Sequence, residues 1–420
     1  MASQGSQTQG DPEIRRGRDN ISIGALTFLL AGLAMVGPFS IDTYLPSFPS
    51  IAGEYGVEPL LVQQTLSVYL FSFAAMMLFH GVLSDTFGRR PIVLWALVIY
   101  TLASLGAAFA PSFSWLLVFR AVQGASAGAG MVIGRAIVRD RLATAQAQRM
   151  LANMTMLFGV APAIAPILGG FLESWFGWKA VFLFLSAFGL LNWIFCLRLL
   201  PETLPPPSRQ PLNLKTILHN YATVLSRSRF RRLSLAVGLG FSGFGLYVAS
   251  APHFVLDILQ LPETAFGWLF VPLIAGMVSG AWTLSRFVGR ISSLKMIRIG
   301  YTLMTTAALL NVSYNWLWEP SLPWVVLPLT LYTFGQAWVT PNVTLQILDI
   351  FPRMRGMAAS LQSFIQTLIF GLVAGLIAPM LFGGGLQLAM GGLIAVLLSM
   401  FCYWLAGPGE ESEAVKDPAP

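Results

Sequence analysis

The chain has 420 residues, 55% of them hydrophobic and only 10% charged, with a mean hydropathy of +0.70 and a formal net charge of +7. A soluble domain carries about 25% charged residues, so a soluble enzyme or soluble binding module is excluded and the class is an all-α polytopic membrane protein. Alternating strands of about ten residues, the mark of an outer-membrane barrel, do not appear in the sequence.

Apolar runs near the ~20 residues that a bilayer-spanning helix needs recur at 22–46, 60–83, 91–110, 114–138, 148–172 and 178–200. Six more follow at 232–256, 264–288, 296–313, 322–348, 354–382 and 385–406. The first run follows Arg15, Arg16 and Arg18 and continues to Leu45 without a small-x-small cleavage site, so it reads as a span and not a removed leader. Near its far end lie Asp42 and Tyr44. Asp42 is the one acid placed well inside any span. An aspartate at mid-span costs about 2.5–3.5 kcal/mol on insertion scales, which makes it a functional-site residue by default. Between spans two and three the sequence reads GVLSDTFGRRP, residues 81–91, in which Gly81 and Gly88 bracket Asp85 and Arg89 and Arg90 follow. The glycines allow tight turning, the arginines anchor the loop, and Pro91 suits the first turn of a helix. Asp85 is not explained by topology.

Span four carries Arg120, Gln123, Gly124 and Gly128, the small residues at a spacing that lets helices approach closely in lipid. Arg120 falls at a depth similar to that of Asp42, so the two are expected to pair. Span five holds Asn153, Met156, Gly159, Pro162, Pro166, Gly169 and Gly170, a thin helix with two prolines to bend it. After span six, PETLPPPSRQP opens a linker at 201–231. There Leu214, Ile217, Leu218, Tyr221 and Leu225 recur at helical spacing among basic residues, which predicts a helix lying on anionic headgroups. Phe244 and Tyr247 in span seven and Gln336, Trp338 and Asn342 in span ten are expected, with Tyr44, Gln123, Asn153 and Met156, to line a central cavity. Aromatic walls with a few amides suit amphipathic, weakly polar molecules. Cys196 and Cys402 sit in apolar runs at no metal or redox spacing, and no metal site is expected.

The organisation is six plus six: a tail at 1–20, a bundle at 21–200, the linker at 201–231, a second bundle at 232–406 and a tail at 407–420. All Lys and Arg except Arg120, Arg135 and Lys179 fall in the tails or at even-numbered loops, which predicts cytoplasmic termini. The positive charge is therefore read as topology, with a lipid bilayer as its partner and no nucleic acid.

GVLSDTFGRRPIVL resembles the loop 2–3 signature of the major facilitator superfamily, G-x-L-[SA]-D-x-x-G-R-[RK]-x, matched at Gly81, Leu83, Asp85, Gly88, Arg89 and Arg90. LLVFRAVQGASAGAG at 116–130 resembles the fourth-helix motif of drug–proton antiporters. GVAPAIAPILGGFL at 159–172 resembles their fifth-helix motif, with Ala165 where a Gly-Pro pair is usual. SIDTYLPSFPSIA at 40–52 and GRAIVRD at 134–140 are similar to the bicyclomycin and chloramphenicol-resistance branch. The resemblance implies two pseudo-symmetric six-helix bundles in an inner membrane, no enzyme activity, no cofactor, and export driven by the proton gradient. It implies that Asp42 and Arg120 couple protons to transport, and that the charged turn is a conformational latch docking on the start of span eleven, near Arg353–Gly356. A monomer is expected. The alternative is uptake of a nutrient or metabolite in the same fold.

Overall fold

The computed structural model describes residues 22–142, 144–209, 211–352 and 354–407. Among them, twelve helices have the length to span a bilayer. The first six are α1 (Ile23–Tyr55), α2 (Pro59–Phe87), α3 (Arg89–Ala108), α4 (Phe113–Arg141), α5 (Thr144–Phe176) and α6 (Trp178–Leu199). After a linker helix at Leu214–Ser226 come α7 (Ser228–Ala249), α8 (Gly267–Phe287), α9 (Ser293–Leu317), α10 (Leu327–Ile350), α11 (Arg355–Met380) and α12 (Gly385–Leu405). Ten are long and apolar enough to cross a membrane. The remaining two, α9 and α10, match them in length but carry more polar groups, among them Arg298, Asn311, Gln336 and Asn342.

The packing repeats itself. In the first half α1 packs on α5 and α6, α2 on α4, and α3 on α4 and α6. Adding six to each number gives the contacts of the second half: α7 on α11 and α12, α8 on α10, and α9 on α10 and α12. The halves meet through α2 with α11 and through α5 with α8, two contacts that exchange under the same operation. This is the signature of a duplicated six-helix unit.

Several helices are broken where the sequence breaks them. The helix of α1 runs to Asp42, turns tightly at Leu45–Ser47 over Pro46, and resumes at Phe48–Tyr55. The first span is therefore longer than hydropathy indicated, and Asp42 sits well inside it. α4 changes course at Gly128, between Phe113–Ala127 and Ala129–Arg141. α5 contains Pro162 and Pro166, each of which removes a backbone donor from the helix.

The linker helix forms as its spacing predicts, but its apolar stripe is divided. Tyr221 and Val224 are buried against the second half, and the Tyr221 hydroxyl donates to Leu78 O of α2 at 2.9 Å. Leu218 and Leu225 are left exposed. The helix thus packs on protein along one edge and offers only the other to lipid. Its C-terminus is tied to α7 by Arg231 Nη1, which donates to Leu225 O and Ser226 O.

At the end opposite the charged turn, the halves are joined. Gln63 Nε2 donates to Ala249 O at 2.9 Å and Gln64 Nε2 to Gly375 O at 3.1 Å, both from α2 to the second half. Backbones also approach closely there. A Cβ on Gly169 would strike Thr43 O of α1, and one on Gly170 would strike Glu263 O of the second half.

Gly169→Leu is expected to destabilise the protein by at least the ~1–3 kcal/mol of ordinary overpacking, because backbone and not a movable side chain is in the way. Gly53→Ala, where a Cβ meets nothing within 4 Å, is expected to leave stability unchanged or slightly raised; melting of the two purified variants compares them. Replacing both Gln63 and Gln64 with Ala is expected to raise the rate at which a cysteine at Ser67 reacts with a thiol reagent added from the Gln63 side, relative to the same cysteine alone.

Candidate functional site

The strongest polar cluster lies inside the first half, around Arg120. Its side chain is fully buried. The guanidinium carbon stands 4.3 Å from the ring centre of Tyr44 and 4.4 Å from that of Tyr69, with Phe182 at 5.9 Å. A guanidinium over aromatic faces in a desolvated site gains about 2 kcal/mol or more per good contact. Arg120 Nη1 donates to Ser40 O at 3.1 Å and to Gln123 Oε1 at 2.5 Å. Gln123 Nε2 donates in turn to Ser104 Oγ at 2.8 Å. Ser40 Oγ lies 2.6 Å from Tyr100 Oη, and the Tyr44 hydroxyl is hydrogen-bonded to Thr65. Side chains of α1, α2, α3 and α4 thus form one connected network, in which the buried hydroxyls and the Gln123 amide have partners.

Two donors are left out. Nε and Nη2 of Arg120 are buried with no hydrogen-bond partner among the described residues. These two N–H groups form one edge of the guanidinium, the edge that takes a carboxylate through two parallel hydrogen bonds.

Asp42 does not fill it. Its side chain is 3% exposed, yet it is in no ion pair with Arg120, contrary to the pairing expected from their similar depth. The reason is angular: at about 100° per residue, Asp42 projects some 200° around the helix from Ser40, whose carbonyl Arg120 reaches. Tyr44 and Tyr69 hold the guanidinium on that other side.

The charged turn is fully built. Gly88 has φ +103°, and a Cβ there would strike the Glu202 carboxylate. That carboxylate accepts from Arg89 N at 3.0 Å and Arg90 N at 3.3 Å, satisfying the first donors of α3. It also accepts from Thr203 N and Leu204 N. Arg89 bridges Asp85 at 2.5 Å and Asp140 of α4 at 3.2 Å. Arg90 Nη2 donates to Leu197 O of α6. Gly81 lies on α2 in loose contact with Val132. Asp85, with 42% of its side chain exposed, is bound within its own half. It is not docked on α11, although the antiparallel register set by Phe71 with Gly371 and by Met77 with Thr367 brings it level with the first turns of that helix. Arg353 lies outside the described residues.

The residues expected to line a cavity divide into three groups. Tyr44, Gln123, Tyr247, Trp338 and Asn342 are buried inside their own halves with partners there. Asn311 Nδ2 donates to Tyr247 Oη at 2.6 Å, Trp338 Nε1 to Thr283 Oγ1 at 3.2 Å, and Ser293 Oγ to Asn342 Oδ1 at 2.8 Å. Their placement departs from the expected one because Trp338 and Asn342, four residues apart, share the face of α10 that meets α8 and α9. Phe244 and Gln336 are only half-buried. The side chains of Asn153 and Met156 lie outside the described residues. In the fifth-helix motif, Gly159 faces Met277 of α8 at a would-be Cβ distance of 3.0 Å. That motif therefore forms part of the contact between halves.

Sequence reading missed Tyr69, Tyr100 and Ser104, which complete the Arg120 network, and Glu173. The last is buried at the end of α5 and accepts from Ser50 Oγ at 2.5 Å. It also missed Glu202, read only as part of a linker.

Residues 28–374 match the family model described as Major Facilitator Superfamily. The chain is 28% identical over 379 residues to the bicyclomycin resistance protein homolog of Haemophilus influenzae, covering 89% of this chain and 93% of that one. It is 28% identical over 382 residues to multidrug resistance protein D of Escherichia coli, covering 89% and 94%. Among solved structures it resembles a D-xylose-proton symporter with a TM-score of 0.72 at 14% identity, over 91% of this chain and 97% of that one. With a match over most of its length, on a fold whose two halves repeat each other's contacts, the chain belongs to the Major Facilitator Superfamily.

Proposed function

We propose that the protein is a proton-driven antiporter that exports drugs or other small amphipathic organic compounds by alternating access, needing no cofactor and no catalytic chemistry. It works as a monomer in a bacterial-type inner membrane with both termini on the cytoplasmic side, the side that collects its Lys and Arg. The observation that carries this reading is the Nε/Nη2 edge of buried Arg120, unfilled among the described residues, in the same half as a buried Asp42 that is in no ion pair with it. A cation with a free bidentate edge and a carboxyl that can give up its proton, in one half of a two-half transporter, form a site that can exchange partners. The names of the relatives, which concern bicyclomycin and multidrug resistance, support export as the direction.

In the arrangement described, the Gln63 end is closed and the latch undocked, which corresponds to a transporter facing the cytoplasm. Asp42 carries the proton as the uncharged acid while it is unpaired, since a lone carboxylate in a span is costly. Loss of the proton to the cytoplasm leaves a carboxylate that Arg120 can take on its free edge. A half-turn adjustment at the Leu45–Ser47 break is enough to bring it round. When the cytoplasmic side closes, Asp85 exchanges Arg89 for the positive N-terminus of α11. A few kcal/mol of such contacts biases a two-state equilibrium.

In inside-out vesicles with an acid interior and a pH-sensitive dye, bicyclomycin-like and chloramphenicol-like compounds are expected to drain the gradient with wild type and not with Asp42→Asn. Identical traces from the two proteins would remove Asp42 from coupling. Asp85→Asn is expected to cut turnover at least tenfold while melting temperature and drug binding stay near wild type; normal turnover would show that the latch is not needed.

A further inference from the structure

Away from the contact between halves, the lipid-facing surface of α9 and α12 holds a cavity of about 400 Å³ lined by Arg298, Thr302, Thr305, Met400 and Trp404. Its chemistry is ordered along the helix. Lys295, Arg298, Thr302, Thr305 and Leu309 stand at i, i+3, i+7, i+10 and i+14, one face of α9, covering about 20 Å at 1.5 Å per residue. Cations come first, hydroxyls next, and an exposed leucine last. The cationic end lies with the charged turn and the basic loops.

The cation is held ready. Arg298 is exposed, its guanidinium carbon lies 5.6 Å from the Trp404 ring centre, and among the described residues it is in no ion pair. Arg232 Nη1 donates to Leu405 O, one residue past Trp404, which brings a second guanidinium to the same end of α12. A separate observation points inward: Thr305 lines the cavity, and its Oγ1 is buried with no hydrogen-bond partner among the described residues. A buried hydroxyl left unpaired costs about 1–3 kcal/mol, and a glycerol ester or phosphate oxygen at that depth would satisfy it.

We propose that this groove binds one anionic phospholipid. Its phosphate sits between Arg298 and Lys295, its glycerol esters meet Thr302 and Thr305, and one acyl chain lies along Leu309 and Met400. The order of cation, hydroxyl and apolar surface matches the order of groups along such a lipid from headgroup to tail. A zwitterionic lipid such as phosphatidylcholine carries the same phosphate, but its choline cation lies beside Arg298 and Lys295 and offsets the attraction, so the site favours a lipid of net negative charge. The site is independent of the transport reading, because no residue in it belongs to the Asp42–Arg120 network or to the contact between halves.

The test uses the full-length protein, purified and stripped of lipid, melted in mixed micelles of detergent with phosphatidylglycerol or with phosphatidylcholine. Phosphatidylglycerol is expected to raise the melting temperature of wild type by several degrees in a saturable way, and phosphatidylcholine much less. Arg298→Gln and the groove-filling Thr302→Trp are expected to lose the difference between the two lipids, while Arg290→Gln, an equal charge change in the loop between α8 and α9, keeps it. Native mass spectrometry is expected to show one retained phosphatidylglycerol on wild type and none on Arg298→Gln. Equal shifts from both lipids in wild type would overturn the proposal, since the groove would then make no selection for an anionic lipid. Equal loss in Arg290→Gln and Arg298→Gln would overturn it as well, leaving only diffuse surface charge.

Discussion

A guanidinium cannot be deprotonated to escape burial, so a helix bundle that encloses one has to be built around it. Arg120 imposes that condition on the first half. Its planar faces are covered by Tyr44 and Tyr69, one from α1 and one from α2. Its Nη1 is met by Ser40 O and by Gln123. Gln123 and Ser40 then need partners of their own, and they find them in Ser104 and Tyr100 of α3. One charge in α4 therefore fixes the positions of three other helices. The glycine of the same motif makes this possible, because a Cβ on Gly124 would strike Tyr69 O and push α2 away.

The contact between halves depends on this order. Gln63 and Gln64 reach the second half from the same helix that supplies Tyr69, so rotation of α2 around the Arg120 network would move both the contact and the charged turn at the helix's other end. The seam along α5 is mixed. Gly170 meets the backbone of Glu263, just before α8, while Met277 and Ile167 pack side chains across the α5–α8 contact at Gly159 and Gly267, so it has a rigid end and a softer remainder. The backbone approach at Gly170 and Glu263 is the point of that seam least able to adapt, and so the natural point for the halves to rock about.

Much of the architecture was legible from hydropathy and from the distribution of Lys and Arg. The spans, their division into six and six, and the identity of the charged turn needed no coordinates. What was not legible was which way polar side chains point. Depth along a helix can be counted from sequence, and it set Asp42 beside Arg120, but azimuth depends on how each helix is rotated against its neighbours. The signal for the true arrangement was present: Tyr44 follows Ser40 by one turn, so both belong to the face that meets Arg120. Likewise Trp338 and Asn342 share a face, and that face turned out to be an internal seam of the second half. Glu202 was missed for a different reason. Its partners are backbone N–H groups of a helix more than a hundred residues earlier, and no side-chain pattern announces them.

The linker is shorter in effect than in sequence. Glu202 pins its beginning to the start of α3, and Arg231 fixes the end of the linker helix to α7. Tyr221 reaches back to α2 through a single hydrogen bond. The connection is thus a leash stitched down at both ends with one light stitch in the middle. A bond of that kind contributes about 1 kcal/mol, a factor of roughly five in an equilibrium, so thermal motion opens it readily while the outer stitches hold. How far the two halves can swing apart is then set by about ten residues before the linker helix, and the chain that joins the halves also limits their stroke.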